Sequence, residues 1–238
     1  MSKPIYNLFI NRGMTDRWWR LSAAERGAMR EKLFERHAAA GGQYYVACIA
    51  SWWNQNYTFW GVEVFPNFDA WRKFAAAREE MEWYTYSRGW SVLGTWDPSL
   101  DPAQAVIPQP GKIYQAFLYS GTEAYYQLTQ AERDALQAKE AETRRDAQVV
   151  VYADSYWASE EWQGFGVLMF PDIEGVQRHY AGLRQIEWPR YVRGKTLLGT
   201  LLSPDIEGFQ YHAAELQMIG RPRWMRDQMP ISTLWEPD

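Results

Sequence analysis

The sequence predicts an α+β fold in which two tandem β-α-β-β-α-β repeats close into one barrel. Three observations support this prediction: an ordered internal repeat, helix start signals at matching places in both halves, and segments rich in strand-forming residues between them. The 238 residues suffice for one large domain or two small ones. A hydrophobic content of 47% is typical of a globular chain with a packed core.

The internal repeat relates residues 5–96, called repeat one, to residues 113–202, called repeat two. Matching blocks follow one another in the same order in both halves, which chance would not supply. The blocks are Ile5-Tyr6 with Ile113-Tyr114, Gly61-Val62 with Gly166-Val167, Glu82-Trp83 with Glu187-Trp188, and Leu93-Gly94-Thr95 with Leu198-Gly199-Thr200. From Gly61 onward the two halves are offset by 105 residues.

Each half contains the same predicted elements. A strand at about 5–11 is followed by the capping box Ser22-x-x-Glu25, which begins a helix that ends near residue 40, and Thr129-x-x-Glu132 does the same in repeat two. The remaining predicted elements are strands at about 43–53 and 57–65, a helix at about 68–86 that Gly89 ends, and a short last strand. This order is the ferredoxin-like unit.

The predicted domain organisation has four parts. Residues 1–97 and 113–203 form the two ferredoxin-like repeats, residues 98–112 form a proline-rich linker, and residues 204–238 form an appendage with a helix at 206–219. A single repeat leaves one face of its sheet uncovered. We therefore expect the second repeat to cover that face, so that the two form a pseudo-dimeric α+β barrel.

Several motifs resemble those of the dimeric α+β barrel superfamily, and most closely the chlorite dismutase-like group. They are Ile186-Glu187-Trp188, Arg193-Gly194 and Thr196-Leu197-Leu198-Gly199-Thr200 in repeat two, and Trp18-Trp19-Arg20-Leu21-Ser22 in repeat one. The resemblance implies two ferredoxin-like repeats in one chain. It also implies an axial histidine near the second strand of repeat two in the members that bind haem. The equivalent segment here, residues 151–155, contains no histidine, although Tyr152 offers another type of donor.

Comparison of the two halves selects candidate catalytic residues, because a polar residue that replaces an apolar one in a single half serves something other than the shared fold. Three such residues are predicted to act as general acids or bases. They are His179 opposite Phe74, Asp154 opposite Ala50, and Glu63 opposite Leu168. The alternative for each is an ordinary hydrogen-bonded structural residue.

The high aromatic content, with 14 Trp, 15 Tyr and 10 Phe, is compatible with a pocket for a flat, apolar molecule. Sheet packing is the alternative explanation of the aromatic residues. The predicted substrate-binding residues are Gln115, Tyr119, Tyr152, Trp157 and Asn7. The predicted pocket lies in repeat two, between its sheet and its second helix, with Glu63 in repeat one as a competing centre.

Other classes of protein are excluded or disfavoured by composition. A net charge of −4 disfavours a nucleic-acid partner, and the single cysteine, Cys48, excludes an internal disulfide and a cysteine-based zinc site. We find no metal-binding or phosphate-binding motif, no secretory signal peptide and no apolar run long enough for a membrane span. A cytoplasmic protein is therefore expected, and a homo-oligomer stays open.

The predicted function is a cofactor-independent enzyme of the lyase, isomerase or oxygenase type that acts on a small aromatic or apolar molecule. Two alternatives stay open. One is a haem protein of the chlorite dismutase-like group with atypical ligation, and the other is a non-catalytic binding or structural protein.

Overall fold

The computed structural model of the chain describes residues 3–202. The predicted appendage at 204–238, with its helix at 206–219, lies outside the described residues. Within the described part, the two repeats follow each other in the predicted order of elements.

Repeat one contains four strands and four helices. They are β1 (Ile5–Met14), α1 (Asp16–Arg20), α2 (Ala23–Ala39), β2 (Gln43–Ile49), β3 (Phe59–Phe65), α3 (Phe68–Glu80), α4 (Trp83–Tyr86) and β4 (Ser87–Trp96). The capping box at Ser22 is formed, and the hydroxyl of Ser22 accepts a hydrogen bond from the N–H of Glu25. Strand β2 ends earlier than predicted, because residues 51–53 form a turn.

Repeat two has the same sequence of elements. They are β5 (Ile113–Gly121), α5 (Glu123–Tyr126), α6 (Gln130–Thr143), β6 (Gln148–Asp154), β7 (Gly164–Phe170), α7 (Ile173–Gln185), α8 (Trp188–Tyr191) and β8 (Val192–Leu201). In both halves the predicted long second helix is divided in two. Glu82 and Glu187 stand at the division with φ of 52° and 56°, a left-handed conformation that interrupts the α-helix.

The eight strands form a closed barrel in the order β1-β3-β2-β8-β5-β7-β6-β4. The two ferredoxin-like sheets therefore join at two seams. At the β4–β6 seam Thr95 lies opposite Asp154, and at the β2–β8 seam Ile49 lies opposite Thr200. The predicted fold class, two tandem ferredoxin-like repeats that close into one α+β barrel, is confirmed.

Each strand has an inner face toward the barrel and an outer face toward the helices. Apolar side chains fill the interior, among them the fully buried Leu8, Val62, Ala116 and Val167. Residues 105–107 of the linker pack against this core, and the N–H of Val106 donates to the carbonyl of Val149 at 2.8 Å. No helix of residues 3–202 is both long enough and apolar enough to cross a membrane.

The strand register corrects one pairing between the halves. Asp154 lies opposite Gly164, and Ile49 lies opposite Phe59. Since Gly164 and Phe59 are 105 positions apart, Asp154 corresponds to Ile49 and not, as predicted, to Ala50. The same offset of 105 pairs Gln43 with Gln148 and Val46 with Val151, so the sequence contains the correct alignment of the second strands and the hydrogen-bond ladder confirms it.

Candidate functional site

A cavity of about 420 Å³, largely open to solvent, lies at the β4–β6 seam, where the two repeats meet. We call it the seam cavity. Its lining residues come from both repeats and are Lys3, Ile5, Phe68, Thr95, Asp154 and Trp157. The structure thus brings two of the predicted site residues, Asp154 and Trp157, to one place. That place is the boundary between the repeats, whereas the sequence predicted a pocket between the sheet and the second helix of repeat two.

Two half-exposed aromatic rings form one wall of the seam cavity. Phe68 begins helix α3 of repeat one, and Trp157 follows strand β6 of repeat two. Their ring centroids are 6.3 Å apart at an interplanar angle of 79°, an edge-to-face contact. Phe68 is 46% exposed and Trp157 is 47% exposed, so both rings present area to a ligand.

Asp154 supplies the fixed negative charge of the seam cavity. It is the last residue of β6, and its Oδ1 atom accepts a hydrogen bond of 2.9 Å from the N–H of Tyr156. This bond anchors the carboxylate to the backbone of the following turn. Lys3, which precedes β1, supplies an exposed positive charge.

Tyr119 and Tyr152, both predicted as substrate-binding residues, lie near Asp154 on the outer face of repeat two's sheet. Their ring centroids are 5.8 Å apart, and the two phenol groups are hydrogen-bonded to each other. Burial raises the pKa of both phenols, and the negative charge of Asp97 adds to this effect. Both phenols are therefore neutral near pH 7 and act as hydrogen-bonding groups.

His179 lies on α7, and its imidazole points toward the sheet of repeat two as predicted from Phe74. The hydroxyl of Thr143 donates to the carbonyl of Glu140 at 2.7 Å, so it accepts a hydrogen bond of 2.9 Å from His179 Nδ1. Burial lowers the pKa of His179 to about 4, which keeps the ring neutral at pH 7.

His179 and Asp154 do not meet. The ring of His179 contacts Phe170 at the end of β7. This end of β7 lies beside the start of β6, since Met169 pairs with Gln148. Asp154 is the last residue of the same strand, six residues further along, which corresponds to roughly 20 Å. The proposed acid–base pair between helix and sheet is therefore not formed by these two side chains.

Gln115 lies on β5 of repeat two, opposite Leu168 of β7. Its side chain is buried, and its Oε1 atom has no hydrogen-bond partner. An unpaired buried acceptor is costly, so this amide is a polar position open to a donor. It is not among the residues that line the seam cavity.

Glu63 and Asn7, the predicted site residues of repeat one, form a buried cluster with a histidine that the sequence did not single out. The Asn7 Nδ2 atom donates to Glu63 Oε1 at 2.6 Å, and His37 Nε2 lies 3.0 Å from Glu63 Oε2. His37 is 2% exposed and Glu63 is 3% exposed, so neither group is in contact with solvent. We call this contact the histidine–glutamate pair.

Aromatic and cationic groups surround the histidine–glutamate pair. The ring of His37 stacks on Tyr44 at 4.5 Å and contacts Phe74 edge to face. Burial by itself would raise the pKa of Glu63, but the contact with His37 and the positive charge of Arg78 lower it below its ordinary value. This enclosed contact joins α2 to β3, and the burial of both groups leaves no route for a substrate.

Haem does not fit the described residues as they are packed. His179 lies between the rings of Phe170 and Tyr180, at centroid distances of 5.8 and 5.7 Å, and a porphyrin beside its Nε2 atom would have to displace them. His37 is engaged by Glu63, and the phenol oxygen of Tyr152 is engaged by Tyr119. The seam cavity contains no imidazole or phenol among its lining residues.

No protein-family model matches the sequence, and no curated protein matches it. Solved structures, in contrast, match its fold over nearly the whole chain. A variant chlorite dismutase from Candidatus Nitrospira defluvii has a TM-score of 0.69 and 11% sequence identity, and the match covers 90% of this chain and 95% of that one. The chlorite dismutase of the same organism in complex with imidazole has a TM-score of 0.67 and 13% identity, with the same coverage of 90% and 95%. The resemblance predicted from the sequence is confirmed at the level of structure: this chain has the chlorite dismutase-like fold.

Proposed function

We propose that this protein binds a small aromatic molecule in the seam cavity and does so without haem. The proposal rests on the seam cavity. It is a cleft open to solvent, and its volume of about 420 Å³ is sufficient for one small aromatic molecule. Phe68 and Trp157 form an apolar wall, and Asp154 is a polar group that can orient a ligand.

A reaction at this site, of the lyase, isomerase or oxygenase type predicted from the sequence, would rely on Asp154 as its acid or base. The other two predicted catalytic residues, His179 and Glu63, do not line the seam cavity. Tyr119 and Tyr152 lie near Asp154 and supply neutral hydrogen-bonding groups. The residues of the seam cavity therefore support ligand binding more directly than turnover.

The chain offers a matched pair of variants to test the proposal. Trp52 is the equivalent of Trp157, 105 positions earlier, and the two are 48% and 47% exposed. In a titration with the neutral probe 2-phenylethanol followed by NMR, we expect Trp157→Ala to weaken binding at least tenfold, because a buried aromatic contact is lost. Trp52→Ala should leave binding unchanged. Equal effects of the two variants, or failure of neutral and charged aromatic probes alike to bind the unmodified protein, would overturn the proposal.

Haem binding is the second candidate, and the fold likeness favours it. Titration of the protein with haem in the Soret region separates the two candidates. A sharp one-to-one endpoint with the spectrum of an axially ligated iron would contradict the haem-free proposal. We expect a gradual, non-stoichiometric change, because the described imidazoles are enclosed by protein groups.

A further inference from the structure

The seam cavity carries one charge of each sign, and neither has a counterpart at the other seam. Asp154 corresponds to Ile49 of repeat one, as the strand register shows. Lys3 corresponds to Gly111, because Ile5 and Ile113 occupy the same position in their ladders and Lys3 and Gly111 each stand two residues before them. The fold therefore does not require either charge at these positions.

The two charges do not neutralise each other directly. Lys3 and Asp154 both line the cavity, yet the ion pairs within 4.0 Å among residues 3–202 do not include a contact between them. Asp154 uses Oδ1 for the N–H of Tyr156, and this leaves Oδ2 without a partner among the described groups. The carboxylate of Asp154 and the ammonium group of Lys3 therefore line the same cavity as the two aromatic rings, without pairing with each other.

We propose that the ligand of the seam cavity is a small zwitterion with an aromatic side chain, such as a free aromatic α-amino acid. The inference rests on the proposed function and adds the charge and shape of the ligand to it. The ammonium group of the ligand pairs with Asp154, its carboxylate pairs with Lys3, and its ring packs on Phe68 and Trp157. Charged hydrogen bonds supply orientation, and the aromatic contacts supply buried apolar area.

Four probes with the same ring separate the contributions of the two charges. They are phenylalanine, which carries both charges, phenethylamine, which carries the cation, 3-phenylpropanoate, which carries the anion, and neutral 2-phenylethanol. We expect phenylalanine to bind most tightly in calorimetric or NMR titrations. Each missing charge should weaken binding about threefold to fivefold, the size expected for a partly solvated ion pair.

Two charge-removing variants then test the orientation of the ligand. Asp154→Asn should weaken phenylalanine and phenethylamine about fivefold and leave 3-phenylpropanoate unchanged or improved. Lys3→Met should weaken phenylalanine and 3-phenylpropanoate and leave phenethylamine unchanged or improved. Both substitutions remove charge at positions in contact with solvent, so the fold should tolerate them, and the melting temperature checks this.

The outcomes separate failure of the zwitterion inference from failure of the proposed function. If 2-phenylethanol binds at Trp157 as tightly as phenylalanine, or if each variant weakens all four probes equally, the zwitterion inference is wrong and the proposed function stands. If none of the four probes perturbs the resonances of Trp157, both are wrong.

Discussion

The two repeats have the same backbone fold, but different polar side chains lie between the sheet and the helices of each. In repeat one the histidine–glutamate pair joins α2 to β3. In repeat two Leu168 occupies the position of Glu63, and the buried imidazole is that of His179 on the other helix, where it bonds to Thr143. Equal spacing from the capping boxes places Arg144 where repeat one has His37.

The comparison shows that the buried carboxylate between sheet and helices occurs in the half that also carries its histidine partner. Glu63 on the sheet is matched by His37 on the helix, and where the glutamate is replaced by leucine the histidine at that helix position is absent as well. The repeat without the pair accommodates a neutral imidazole, which a threonine hydroxyl satisfies. The same fold therefore accommodates different buried polar groups between the sheet and the helices of each half.

The largest expected effect comes from breaking the histidine–glutamate pair. Glu63→Leu copies Leu168 of repeat two but leaves His37 buried without its anion. We expect the free energy of unfolding at pH 7 to fall by about 3–5 kcal/mol, since removal of one partner leaves an uncompensated buried group. Urea denaturation of the variant and the unmodified protein measures this change.

A double variant sharpens that result. His37→Leu combined with Glu63→Leu removes both partners, so we expect the free energy of unfolding to return to within about 1–3 kcal/mol of that of the unmodified protein. The remaining loss comes from the amide of Asn7, which loses its hydrogen-bond acceptor. A double variant as unstable as Glu63→Leu would show that the pair is not the reason for the loss.

The next effect concerns the pH dependence of repeat two. The folded pKa of His179 is about 4, below its ordinary value of 6.5, so the unfolded chain binds more protons between these values. The contribution of neutral His179 to the free energy of unfolding should therefore be complete above pH 6.5. We expect about 3 kcal/mol of it to be lost as the pH drops from 6.5 to 4. His179→Phe, which copies Phe74, should remove this dependence.

Glu63 provides the internal control for the pH experiment. Its folded pKa lies below the ordinary value of 4.5, so its contribution is present above pH 4.5 and is lost only as the pH falls through the lowered folded value. Urea denaturation at intervals between pH 3.5 and 7 separates the two windows. A His179→Phe variant with the same slope between pH 6.5 and 4 as the unmodified protein would contradict the assignment.

The smallest effect concerns a contact between the repeats. Lys195 on β8 lies 4.8 Å from the ring of Trp90, which is its own equivalent in repeat one, and 5.5 Å from the ring of Tyr57. Lys195→Met should lower the free energy of unfolding by about 0.5–1 kcal/mol through loss of the cation–π contact. Lys73→Met, on the exposed face of α3, is the control and should change stability by less than about 0.5 kcal/mol.

The fold could be predicted because its signals are local and occur twice. Capping boxes at Ser22 and Thr129 mark the first helices, and repeated blocks such as Gly61-Val62 and Gly166-Val167 align the strands. The division of the second helix was not predicted, because Glu82 gives no composition signal for a left-handed conformation.

The candidate site could be predicted only in part, because it depends on contacts between distant segments. Asp154 and Trp157 were selected from the sequence, but their meeting with Phe68 follows from the pairing of β4 with β6, which no periodicity reveals. His37 was missed because its partner Glu63 lies 26 positions away. A carboxylate in the middle of an apolar strand requires a nearby polar partner, and His37 lies in the last turn of the helix that packs on that strand.

The closure of two unequal repeats into one barrel has a consequence for stoichiometry. A dimer of identical single-repeat chains would have two identical seams, so that a cavity in one would also occur in the other. Here the joined halves diverge: one seam carries Asp154 and Lys3, and the other carries Ile49 and Gly111 at those positions. One barrel should therefore take up one ligand molecule rather than two. Because both halves belong to the same chain, barrel closure, and with it the seam cavity, should not depend on protein concentration.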